Sequence, residues 1–213
     1  MGARLQIRYR IARTQRDADG GLIVSKQRFG QTPSQTVGPF FHFGLPYEND
    51  NNLIVGDAQG QRIVVEGRVI DGQGEPVPDC MLEIWQANAA GKYDHPEDTQ
   101  DKSVDRGFHG FGRCSTDKDG IFRFHTVKPG AVPGPGNTLQ APHLVTFVFG
   151  RGMLKQLLTR IYFEDEAHNV NDPVLGLVPN ARRSTLIAGK TGPATYKLDI
   201  VLQGNGETVF FDY

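Results

Sequence analysis

No apolar run in this chain approaches the ~18 residues that a membrane-crossing helix needs. Cysteine is nearly absent: Cys80 and Cys114 are the only two in 213 residues. Lying 34 residues apart, they make no disulfide framework, and they read as free, buried thiols in a reducing compartment. Charge of one sign is lacking too. With 23 basic against 24 acidic residues the formal net charge is −1, so no whole-chain field points to nucleic acid or an acidic partner. Residues 1–30 are locally basic, with arginines at 4, 8, 10, 13, 16 and 28, yet they lack the apolar stretch of a secretory signal. They read as a polybasic arm or an over-extended start rather than a targeting device, and the expected location is the cytoplasm. Also missing are a G-x-S-x-G elbow, a Walker loop, an H-E-x-x-H helix and any zinc-ligand spacing among the cysteines and six histidines.

What is plentiful is Gly (26) and Pro (13), punctuating short segments rich in β-branched and aromatic residues. Strands are expected over 62–71, 80–88, 120–127, 142–150, 160–165, 195–204 and 207–213. In 195–204, Tyr196, Leu198, Ile200 and Leu202 alternate with Lys197, Asp199 and Gln203, the period of a half-buried strand. "LVTFVF" (144–149) is apolar on both faces, as a central strand would be. Helical patterning is short, around "DPVLGLV" and "ARRSTLIAG", and the glycine-rich "GFHGFG" (107–112) reads as a loop. Together these predict an all-β fold, a β-sandwich with long loops and a few short helices, in one domain over 31–213. Long connections at 89–113 and 128–141 are where a site would sit.

Those connections and the strand after them carry Tyr93, His95, His109 and His143. Phenolate and imidazole together suit Fe(III), a hard cation whose charge pulls a tyrosine's pKa down far enough to ionise it. His143, in "QAPHLVTF", is ambiguous by itself: either half of a metal site or a histidine in a core strand.

Five segments, in order, resolve the ambiguity. "TPSQTVGPFFHFGL" (32–45), "EIWQANAAGKYDH" (83–95), "GFGRCSTDKDGIFRFHTVKPG" (110–130), "APHLVTFVFGRG" (141–152) and "LQGNGETVFFDY" (202–213) resemble the intradiol ring-cleaving dioxygenases over roughly residues 30–213. Catalytic chains of that family hold Fe(III) with two tyrosines and two histidines. The resemblance places Tyr93 and His143 at one position of each kind. Val132 stands where the second tyrosine belongs, Val145 where the second histidine belongs, and Gln140 where catalytic chains carry an arginine. Valine has no lone pair, so two of four ligands are gone and this chain's own pocket is expected to be vestigial and metal-free.

The departure matches the iron-free chain type of the family's two-chain enzymes. The resemblance then implies a homologous iron-binding β chain as partner, with protocatechuate and O2 as substrates and Fe(III) held by that partner alone. It implies that 32–45 is an arm lining the shared pocket. Thr36, Gly38 and Pro39 would form its wall, with Phe40 behind. Arg151 has two readings, a pocket residue for the substrate carboxylate or an interface salt bridge. Two other functions stay on the page: a self-sufficient dioxygenase using Tyr162, His125 or His109 as substitute ligands, and a non-catalytic β-sandwich binding module. The apolar "PFFHF" and "TVFFDY" stretches read as interface or as core.

Overall fold

The computed structural model describes residues 15–16, 22–23, 35–38 and 40–212. Of residues 1–34, which form a compact unit of their own, it describes one antiparallel pairing between β1 (Gln15–Arg16) and β2 (Leu22–Ile23). The rest of the basic extension, residues 32–34 of the arm, and Pro39 lie outside the described residues.

The second unit begins at Gln35. A single helical turn, α1 (Phe41–Gly44), precedes the strands β3 (Arg62–Ile70), β4 (Met81–Trp85), β5 (Phe111–Ser115), β6 (Ile121–Val127), β7 (Val132–Pro133), β8 (Leu139–Gln140), β9 (His143–Phe149), β10 (Leu157–Phe163), β11 (Ile187–Lys190), β12 (Thr195–Lys197) and β13 (Ile200–Val201). Nine of these make one sheet, in the order β13-β3-β12-β11-β10-β9-β4-β5, with β6 on β3. β7 and β8 form a separate hairpin.

Alternation sends one face of each long strand into a common core. Ile63, Val65 and Val69 from β3, Phe122 and Phe124 from β6, Leu82 and Ile84 from β4, Leu144 and Val148 from β9, and Ile161 and Phe163 from β10 all pack together. A sheet whose two halves share one core is folded over itself, which is the expected sandwich. A second, smaller cluster lies on the outer face of β10. There Tyr162 packs with Ala141, Leu175, Val178 and Leu186, brought by short 3-10 turns at Leu175–Leu177 and Asn180–Leu186.

Three expectations about elements need correction. The strand expected over 195–204 is broken at Leu198–Asp199, although both halves run parallel along β3. At the break the Asp199 carboxylate accepts the Arg68 N–H at 2.9 Å and pairs with the Arg68 guanidinium. The Leu198 carbonyl folds over Gly67, where an added Cβ would lie 1.8 Å from it, so the interruption is built on that glycine. Next, "GFHGFG" is not all loop: its last two residues open β5. The glycine at 112 is there because Leu53 fills the space a Cβ would need, 2.4 Å away. Finally, 207–213 forms no extended strand; among the described residues it contributes one bridge, Phe211 to Leu158.

Candidate functional site

The core takes Leu144, Thr146 and Val148 from β9, so His143 and Val145 point to the opposite face. Register puts Trp85 of β4 and Arg160 of β10 on either side of Val145, and Tyr162 beside His143. Above this row, the β7–β8 hairpin sets Val132 directly across from Gln140. All four positions that the family resemblance names as metal positions therefore come to one outer patch of the β4–β9–β10 layer.

Tyr93 reaches the patch from the loop after β4. Buried Asn88 organises the loop by accepting the N–H groups of Ala90 and Lys92, both at 3.0 Å. Lys92 and Asp98 pair with side chains 9% and 8% exposed. Asp98 in turn accepts the Tyr93 N–H at 2.8 Å, which fixes where the tyrosine starts. Burial alone would raise the Asp98 carboxyl. Hydrogen bonds from Tyr93, Gln100 and Lys92 outweigh it and hold the group at about 2. The Tyr93 ring stacks on Trp85, centroids 5.9 Å apart and 8° from parallel. Burial pushes its phenol above the ordinary value against the pull of Arg160, so it is protonated at neutral pH. A cleft of about 370 Å³ opens here, lined by Trp85, Tyr93, Val132, Pro133 and Gln140 among others.

These residues do not fit Fe(III). Val132 and Val145 offer no lone pair. His143 spends Nδ1 on the Ala141 carbonyl at 2.7 Å, leaving Nε2 as its one free donor atom. One phenol oxygen and one imidazole nitrogen are too few for a trivalent ion, and the Arg160 guanidinium, acting electrostatically on both, is a fixed positive charge beside them. Arg160 was not visible in the sequence as a site residue. Its place depends on the β9–β10 register, and "TRIYF" alone reads as ordinary strand.

The substitute ligands do not converge. Tyr162 is fully buried and donates to Asp172 at 3.1 Å. His125 stands on the exposed face of β6 in a separate groove, and His109 lines a third cleft with Asp94 and Phe111.

His143 has a measurable consequence. Burial, then the Arg160 charge, lower its pKa from 6.5 to about 4. Between these values the unfolded chain binds a proton that the folded chain refuses. Stability is therefore expected to be full above about pH 6.5 and to fall by roughly 3 kcal/mol as pH drops to about 4. Urea melts of wild type and His143→Gln across this range check it: the variant's slope should be shallower, and identical slopes would contradict it.

A second patch gathers at the other end of β9. Gly152 N–H donates to Thr36 Oγ1 at 2.9 Å, joining the N-terminal arm to the β9–β10 turn. Gly152 has φ +82°, a conformation suited to glycine. Arg151 in the same turn is ion-paired with Asp79, yet its side chain remains 61% exposed. Gly38 has nothing within 4 Å of a built Cβ, so no packing within the described residues requires glycine there. Phe40 is 77% exposed, turned outward rather than packed behind the arm. The structure thus brings Thr36, Gly38 and Arg151 to one surface. Six residues of β9 separate it from His143, roughly 20 Å along an extended strand.

The family profile described as Dioxygenase matches residues 36–204. The protocatechuate 3,4-dioxygenase alpha chain of Pseudomonas putida is 43% identical over 200 residues, covering 86% of this chain and 96% of the relative. The beta chain of the enzyme of that name from Burkholderia cepacia is 40% identical over 175 residues, covering 76% of this chain and 74% of the relative. Among solved structures, the dioxygenase domain of a carbohydrate-binding fusion protein from Streptomyces sp. SirexAA-E superposes with TM-score 0.55 at 28% identity, covering 82% of this chain and 99% of that one. The 3-chlorocatechol 1,2-dioxygenase of Rhodococcus opacus 1CP gives TM-score 0.58 at 24% identity, over 81% of this chain and 72% of that one, a likeness of fold. No helix among the described residues is long and apolar enough to cross a membrane.

Proposed function

The chain belongs to the intradiol ring-cleavage dioxygenases, and from that premise we propose that it is the iron-free α subunit of a hetero-oligomeric protocatechuate 3,4-dioxygenase, paired with a homologous β chain. The observation that carries the reading is the combination of 43% identity to an alpha chain, over 86% of this chain, with a pocket whose donors do not suit iron. The family uses non-haem Fe(III); held in the β chain, the metal would make the bound ring reactive toward O2. The product would be 3-carboxy-cis,cis-muconate.

This chain's own work lies at the Thr36–Arg151 surface. Gly38 would let the partner's substrate approach the backbone closely, and Pro39 would stiffen the turn. Thr36 keeps the arm closed on the turn through its bond to Gly152. Arg151, oriented by Asp79 and still largely exposed, has donors left to meet a carboxylate. The exposed Phe40 would be covered by the partner.

In the co-expressed complex, Arg151→Gln is expected to raise KM for protocatechuate by about tenfold, the loss of one charge-assisted hydrogen bond. Iron content and kcat should hold, because the residue binds substrate and does not react. Only the arginine end of its ion pair with Asp79 is exposed, 61% against 15% for the Asp79 side chain, so the variant should also lose on the order of 1–3 kcal/mol of stability, read separately from KM in a urea melt. An unchanged KM would reduce Arg151 to the partner of Asp79.

A further inference from the structure

A groove of about 780 Å³, roughly twice the size of the Tyr93 cleft, lies on the outer face of β12–β3–β6, strands that carry none of the metal positions. Strand register builds it. Alternation turns Ile63 and Val65 of β3, and Phe124 and Thr126 of β6, into the interior, so Arg62, Val64 and His125 point out. Val64 has His125 directly across from it on one side and Thr195 on the other. Arg62 is then a diagonal neighbour of His125, with Cβ atoms roughly 7–8 Å apart, close enough for both side chains to meet one small ligand. The far wall is the segment 49–56. The Leu53 N–H on the His125 carbonyl, at 2.8 Å, and the His125 N–H on the Asn51 carbonyl, at 2.9 Å, hold it against β6 and set Asn52 beside His125.

The lining is rich in donors and lacks acids. Its basic members are Arg62 and His125, and although the chain has 24 acidic residues, none of those described lines the groove. The two other arginines on this face each have a carboxylate: Arg123 pairs with Glu66 at 2.8 Å and Arg68 with Asp199 at 3.1 Å. Arg62 has none, and among the described residues neither its guanidinium nor the His125 ring makes a hydrogen bond. A concave wall carrying positive charge with no counter-charge concentrates its field on an anion. The amide of Asn49 and the hydroxyl of Thr195 are unused as well, and Asn52 accepts the Ile54 N–H with Oδ1 and keeps Nδ2 unspent. Amides and hydroxyls both donate and accept, which matches the hydroxyl groups of a ligand. No Phe, Tyr or Trp lines the groove, so nothing there stacks on a flat ring.

We propose that this groove binds a small aliphatic polyol bearing one oxyanion group, a phosphate or a carboxylate, with the oxyanion on Arg62 and His125 and the hydroxyls on Asn49, Asn52 and Thr195. The site goes beyond the subunit reading and does not depend on it.

Isothermal titration calorimetry on the purified full-length chain at low ionic strength tests it, with glucose 6-phosphate and gluconate as probes and glucose as the neutral control. At least one anion should bind saturably while glucose gives no response at the same concentrations, and the tighter of the two identifies the preferred oxyanion. Arg62→Gln should weaken that binding about tenfold or more, since a charged pair becomes at best a neutral one, and His125→Gln about fivefold. Both side chains are exposed, so these variants should fold as the wild type does. Arg68→Gln makes the same change at a paired arginine on the same face and should leave binding within about twofold, which separates a built site from a generally basic surface. No saturable binding of either anion, equal binding of glucose, undiminished binding in either groove variant, or an equal loss in Arg68→Gln would overturn the proposal.

Discussion

Asp172→Ala is expected to destabilise the chain by about 4 kcal/mol or more, a large part of the 5–15 kcal/mol that ordinarily holds a domain folded. Asp172 is 2% exposed and carries no ion pair among the described residues. Its Oδ2 accepts the Ala141 N–H at 2.7 Å, where the chain enters β9. Its Oδ1 accepts the N–H groups of Val174 and Leu175, at 2.9 and 2.7 Å, and the hydroxyl of Tyr162 at 3.1 Å. Removing the carboxylate leaves four donors without an acceptor in a place water does not reach. Asp172→Asn keeps one oxygen and should lose about half as much. Urea midpoints measure both. A loss under about 1 kcal/mol for the alanine variant would mean that these donors find other partners, and the account of the outer cluster would be wrong.

The second large effect concerns metal. Restoring the two missing donors with Val132→Tyr and Val145→His is expected to leave the chain with far less than one iron per molecule. Removing the guanidinium as well, with Arg160→Ala, should bring iron close to one per chain, with the red colour of phenolate charge transfer. The reason is charge rather than ligand count. At about 6 Å and an effective dielectric of about 20, a trivalent ion and a fixed unit charge repel by the order of 8 kcal/mol. Arg160 is the direct cross-strand neighbour of the restored histidine. Full iron loading of the double variant would show that Arg160 yields to the metal, and the cation would lose its place in the account.

These expectations divide along the line between what the sequence makes legible and what it does not. β3 and β6 are legible as short β-branched and aromatic segments with one face wholly inside, and β9 as a run apolar on both faces. β5 is not, because its glycine is required by the packing of Leu53, a neighbour remote in sequence. The break between β12 and β13 depends on a carboxylate replacing a carbonyl in the ladder with β3, which no pattern of apolar residues records. At the site, Tyr93, Val132, His143 and Val145 could be named from motifs, because each sits at a fixed offset from a recognisable segment. Arg160 and Asp172 could not. Their importance comes from register and from burial, which put a cation beside two orphaned ligand positions and an acceptor under four donors. Asp79 belongs with them: only the fold shows that it holds Arg151.

As the proposed iron-free subunit, this chain would serve a metal it cannot itself hold. Iron content and protocatechuate-dependent O2 uptake, measured on the chain purified alone and then co-expressed with a homologous chain that retains both tyrosines and both histidines, test it most directly. The account predicts no iron and no uptake from the chain alone, and a red, active complex from the pair. Stoichiometric iron with turnover in the lone chain would contradict it.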